Sequence, residues 1–234
     1  MKKLFIIAAM AVAGITTANA QEFKVGAKAG FLMSNVSVDS SSDIEAGKLI
    51  TSKLNTAFRP GFHFGAFIEY GFNEKIWVEA GVDYAFQGAN LKSVEATVIN
   101  VSDGSLITSN KANIKNGWLK TQQFNIPLWV KYDISGFRPK VGVNLGFLSK
   151  VKTNSEIEGG PAVENKSLTP NKKFDFGLGF GAEYNLPMGL FFDATFNLGL
   201  TELSNKEYSK DGETLLPSMK FKNRVIQIGV GYKF

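Results

Sequence analysis

From residue 21 to the C-terminus, apolar and polar residues alternate with period two in eight segments, as strands with two different faces require. The first sets Phe23, Val25, Ala27, Ala29 and Phe31 against Lys24, Gly26, Lys28 and Gly30. The second sets Phe62, Phe64, Ala66, Ile68 and Tyr70 against His63, Gly65, Phe67 and Glu69, and the third sets Ile76, Val78, Ala80, Val82 and Tyr84 against Trp77, Glu79, Gly81 and Asp83. Further segments over about 124–132, 140–147, 174–184, 192–200 and 226–234 repeat the pattern.

Alternation alone also suits a soluble sandwich or a lipocalin-like barrel, so the contents of the two faces decide. Most of the 20 Phe lie on a face without charge, while the charges and about half of the 24 Gly lie on the other. Glycine weakens an exposed strand but makes room for long polar side chains on the concave wall of a narrow barrel. The apolar face therefore points outward, into lipid. Gap lengths give independent support. The gaps at about 35–59, 89–117, 151–172 and 201–221 are long, and those at 73–75, 134–138 and 185–189 are short. Within the second, Val94, Ala96, Val98 and Asn100 alternate up to Asp103-Gly104 and Leu106-Ile107 follow, which reads as a hairpin extending the third and fourth strands above the membrane as a β-ribbon. Long external loops alternating with short periplasmic turns characterise outer-membrane barrels. The fold class expected is all-β: an eight-stranded antiparallel transmembrane up-and-down β-barrel over residues 21–234, located in the cell outer membrane.

Residues 1–20 read as a cleavable signal peptide. Lys2 and Lys3 form a basic start, residues 4–15 an apolar stretch too short to span a bilayer, and Ala18 and Ala20 the small residues before cleavage at Gln21. The chain contains no cysteine, which excludes disulfides and thiolate metal sites. The net charge of +5 falls further with removal of Lys2 and Lys3, so no concentrated basic face for nucleic acid is expected.

Three segments resemble the small outer-membrane β-barrel family common in Bacteroidetes, known as PorT-like or "porin family" proteins. They are Phe124-Asn125-Ile126-Pro127-Leu128 with Lys131-Tyr132, Asp175-Phe176-Gly177 with Gly181-Ala182-Glu183-Tyr184, and Asn223-Arg224-Val225-Ile226-Gln227 with Gly231-Tyr232-Lys233-Phe234. The resemblance covers the mature chain and implies a Gram-negative outer-membrane barrel. A role of the PorT type in protein secretion comes with the family name alone. The aromatic end at Tyr232 and Phe234 resembles the signal read by the barrel assembly machinery, an expected partner together with outer-membrane lipid.

Strand direction puts one inward charge per strand near the short turns: Lys24, Glu69, Glu79, Lys131, Lys140, Glu183, Asp193 and Lys233. Buried charges are costly unless paired, so a neutralising interior layer is expected, with partners on neighbouring strands. The sharper alternative is an ion pathway. His63 is the only imidazole, and Asp83 and Asp175 lie at similar heights, but no nucleophile motif accompanies them. No catalytic residue, metal site or cofactor is expected. The function expected is a non-enzymatic barrel with a sealed lumen that presents surface loops for binding or envelope integrity. A small pore, a PorT-like secretion accessory and a lipid-modifying enzyme are the alternatives. Extracellular and secretion partners are not legible in the sequence.

Overall fold

The alternating segments close into one antiparallel ring. The computed structural model describes residues 22–38, 41–157, 162–206, 208–210, 213–216 and 220–234. The expected signal peptide and its cleavage residues Ala18, Ala20 and Gln21 lie outside the described residues. Eight strands build the barrel: β1 (Glu22–Val38), β2 (Arg59–Gly71), β3 (Ile76–Asn100), β4 (Leu106–Tyr132), β5 (Phe137–Ile157), β6 (Phe174–Asn185), β7 (Leu190–Gly199) and β8 (Lys220–Lys233). Each strand pairs with its neighbours in the chain, and β8 closes onto β1 from Lys233↔Gly26 to Phe221↔Val38.

The register fixes the shape. Following Cα partners from Phe23 through Tyr70, Val78, Val130, Val141, Phe180, Phe196 and Ile226 returns to β1 at Met33, ten residues further on. Eight strands with that stagger tilt by about 40° and enclose a cylinder of about 8 Å backbone radius. Side chains from opposite walls meet at the axis. The outward face is apolar and uncovered: Phe31 is 81% and Ile228 65% exposed, as lipid-facing residues are.

The turns at one end are short because their chemistry suits tight reversal. Asn73 Oδ1 accepts from the backbone N–H groups of Lys75 and Ile76, at 2.9 and 2.8 Å. Gly136 and Gly189 take the other two reversals at φ of 90° and 87°, a region that glycine enters without a Cβ penalty. At the opposite end β3, β4 and β5 continue for 25, 27 and 21 residues, whereas a crossing needs about 9–11. The hairpin expected within residues 89–117 is present, with β3 running to Asn100 and β4 starting at Leu106. Lys48–Ala57 pairs with the far half of β3, and Ser41–Glu45 pairs with Lys48–Ala57. Ala162–Leu168 adds to β5 in the same way. Stretches such as Thr97-Val98-Ile99 and Leu106-Ile107-Thr108 have the β-branched and apolar content that sustains strand beyond the membrane.

A hydrophobic core closes the inside of this extended end. Val36, Ala89, Leu91, Leu119, Leu148, Val151, Leu168, Leu203 and Phe221 pack together, with Val38, Leu54 and Ile114 against them. Inward positions that are polar within the membrane become apolar above it.

Candidate functional site

The chemistry of this protein lies inside the barrel, in layers. Nearest the short turns is a network of charges. Lys131 is 1% exposed; its Nζ donates to Glu79 and to Glu183 Oε2, the latter at 2.7 Å, and lies 3.3 Å from Glu69 Oε1. Arg138 donates to Glu69 Oε1 at 2.9 Å and to Asp133. Lys233 donates to Glu183 and Asn185, and its Nζ lies 2.8 Å from Glu69 Oε2 without hydrogen-bond geometry. Lys140 pairs with Asp193, whose second oxygen accepts from Thr195 at 2.9 Å. Lys28 donates to Glu79 Oε1 at 3.0 Å. In the turn below, burial pushes the Asp133 carboxyl up, but the Gly136 N–H and Arg138 outweigh it and hold the group below its ordinary range.

Seven of the residues expected in a charge layer, Glu69, Glu79, Lys131, Lys140, Glu183, Asp193 and Lys233, meet here. Lys24 does not. It sits at the mouth, 27% exposed, 2.9 Å from Glu22 Oε1 and over the Trp77 ring. The cation reaching Glu79 from β1 is Lys28, two inward positions further along the strand, and Arg138 is the other member that strand parity did not single out. Partners also differ from expectation. Only Glu79–Lys131 joins adjacent strands in the expected way, while Lys28–Glu79, Lys131–Glu183 and Lys140–Asp193 skip one strand and Arg138–Glu69 skips two. Long side chains in so narrow a cylinder reach the second or third strand as readily as the next.

Aromatic rings thread this layer. The Phe67 and Phe191 rings meet edge to face at 5.6 Å, and Trp77 and Trp129 are both buried. Glycines on the inner wall give them room. A Cβ at Gly26 would stand 2.3 Å from the Phe67 ring, and one at Gly179 2.3 Å from Trp129. The inner glycines therefore accommodate rings as well as the polar chains expected there. The cations lie over these rings: Arg138 over Trp77 at 4.2 Å and Lys140 over Trp129 at 4.7 Å.

Above the rings is a polar band. His63 Nδ1 and Asp83 Oδ2 are 2.8 Å apart, and His63 Nε2 has no hydrogen-bond partner among the described residues. Asp175 does not join them. It accepts from Gln123 at 3.0 Å and Asn223 at 2.8 Å, and connects to Asp83 only through Gln123 and Asn125. Asp83 is held by the imidazole and Asp175 by the amides of Gln123 and Asn223, with no hydroxyl hydrogen-bonded to the imidazole among the described residues. A cavity of about 30 Å³ lies here, lined by Lys28, Asp83, Asn125, Trp129, Asn197 and others, with room for about two waters. The buried Trp129 Nε1 and Asn197 Oδ1 are without partners there. The hydrophobic core of the extended end lies above.

The family model of the outer membrane protein beta-barrel domain matches residues 5–234. The chain belongs to that family. Its location is the outer membrane, consistent with the lipid-facing wall. No curated protein matches the sequence. Solved structures with similarity to this barrel include OprG from Pseudomonas aeruginosa, 16% identical over 92% of this chain and 98% of that one, TM-score 0.46. Neisserial surface protein A is 14% identical over 92% of this chain and 100% of that one, TM-score 0.42. Ail of Yersinia pestis is 16% identical over 91% of this chain and 99% of that one, TM-score 0.41.

Proposed function

We propose that this family member is a non-enzymatic outer-membrane barrel with a sealed lumen, acting through the sheet it extends beyond the membrane. The observation that carries this reading is the continuous filling of the interior: ion pairs, edge-to-face rings, amide network and hydrophobic core succeed one another, with a cavity of about 30 Å³ among the amides. A barrel of about 8 Å radius has no space for these layers and a solute path together. The short turns are read as periplasmic and the extended end as external. Tyr232 and Phe234, in edge contact with centroids 5.0 Å apart, face outward on the closing strand and suit recognition by the assembly machinery.

The extended end offers a surface for binding. Ile44, Leu49, Ile99 and Leu106 lie in one cross-strand row, with Ile44 and Leu106 exposed. Such a row supports contact with a macromolecular partner, of which a PorT-like secretion component is one case. The lumen is tested by swelling of proteoliposomes in an isosmotic small sugar. No swelling above protein-free vesicles is expected, and solute-size-dependent swelling would contradict the sealed interior.

A further inference from the structure

The outer wall changes character abruptly at the rim of the extended end. Phe62 and Phe86 stack at 4.3 Å, and Phe124 and Phe147 lie on the same exposed face of β4 and β5. One rung higher the outward positions become Gln122, Lys120, Lys150 and Lys152, all three lysines exposed. Lys120 and Lys152 are direct Cα partners on adjacent strands, and Lys150 partners Gln122. Like charges directly opposite each other destabilise a sheet. None of these three lysines forms an ion pair among the described residues. Trp118, on the next outward position of β4, lies between two cations, Lys120 Nζ at 4.2 Å and the Arg59 guanidinium at 5.8 Å from its ring. Arg59 also donates to Asn90 Oδ1 at 3.0 Å, which fixes it over the same rim.

From this juxtaposition we infer that Arg59, Lys120, Lys150 and Lys152 form a collar that binds the phosphate groups of a glycolipid in the outer leaflet. The cations stand where headgroups lie, and the Phe62–Phe86 stack and Phe124 directly below offer apolar surface to acyl chains. A phosphate seated between Lys120 and Lys152 turns their mutual repulsion into two charge-assisted hydrogen bonds. The other rim has no such collar: its turns mix Glu74, Lys75 and Asp133. The inference goes beyond the binding role of the extended sheet and does not depend on the lumen being sealed.

The test uses the full folded protein in detergent micelles, with lipid binding counted by native mass spectrometry. Titrants are bisphosphorylated lipid A, the same lipid with its phosphates removed, and inorganic phosphate. Parent protein should bind lipid A about tenfold more tightly than K120Q/K152Q, as expected when a charged hydrogen-bonding pair is lost. It should bind the dephosphorylated lipid equally weakly, and K120R/K152R should restore binding. K75Q, at the opposite rim, should bind as the parent does. Without lipid, K120Q should unfold at the same temperature as the parent or higher, because repulsion is relieved; with lipid A present the order should reverse. Equal affinity of parent and K120Q/K152Q, or equal affinity for both lipids, would overturn the collar. Inorganic phosphate bound as tightly as lipid A would overturn the glycolipid assignment and leave a plain phosphate site.

Discussion

Lys140 and Asp193 are the sharpest pair in the interior. Lys131 faces three carboxylates, so losing one leaves it two, whereas Lys140 has Asp193 as its one ion-pair partner among the described residues. Removing one member of a buried pair costs about 3–5 kcal/mol, while replacing both can be close to neutral. K140M and D193L should each destabilise the barrel, and K140M/D193L should destabilise it by less than their sum, measured by urea unfolding in micelles. Additive effects would mean that water screens the pair. Strand parity was enough to foresee that Glu69, Glu79, Glu183 and Lys233 face inward. It could not foresee Lys28 or Arg138, because height in a tilted barrel changes from strand to strand and side-chain reach decides which rung joins the layer. Nor could adjacency in sequence order reveal the pairs that skip a strand, which follow from the narrow radius.

At the scale of the strands, the membrane crossings were legible because lipid on one side and a polar interior on the other impose strict alternation. The hairpin that extends β3 and β4 was legible in the alternation of Val94, Ala96, Val98 and Asn100 before Asp103-Gly104, but the extension of β5 was not, since beyond the bilayer the outward face meets water and the contrast fades. A further signal was small: Leu119 and Leu148 continue the inward parity of Gln123 and Gly146 but are apolar, which marks the change from membrane interior to the core of the extended end. Sidedness gives the test at this scale. Cysteines placed at Ser105 and Asn165 in this cysteine-free chain should react with a membrane-impermeant maleimide in intact cells, and those at Asn73, Gly136 and Met188 should not. Labelling at the short turns would invert the barrel.

For the whole molecule, the stagger of ten residues over eight strands, the aromatic rings seated on glycines and the hydrophobic core of the extended end support the proposed solid cylinder over a channel. An interior this polar could also have belonged to a wet pore, and composition alone does not separate the two. The difference lies in whether charges meet each other or water. Here Lys131, Lys140 and Lys233 meet carboxylates, and the rings of Phe67, Phe191 and Trp129 occupy the space between. Single-channel recording in planar bilayers tests this most directly, with protein whose folded state has been verified by its resistance to SDS before heating. Insertion should leave the membrane current at the level of the bare bilayer across the voltage range. Stable conductance steps of reproducible size, increasing in number with added protein, would contradict the sealed barrel.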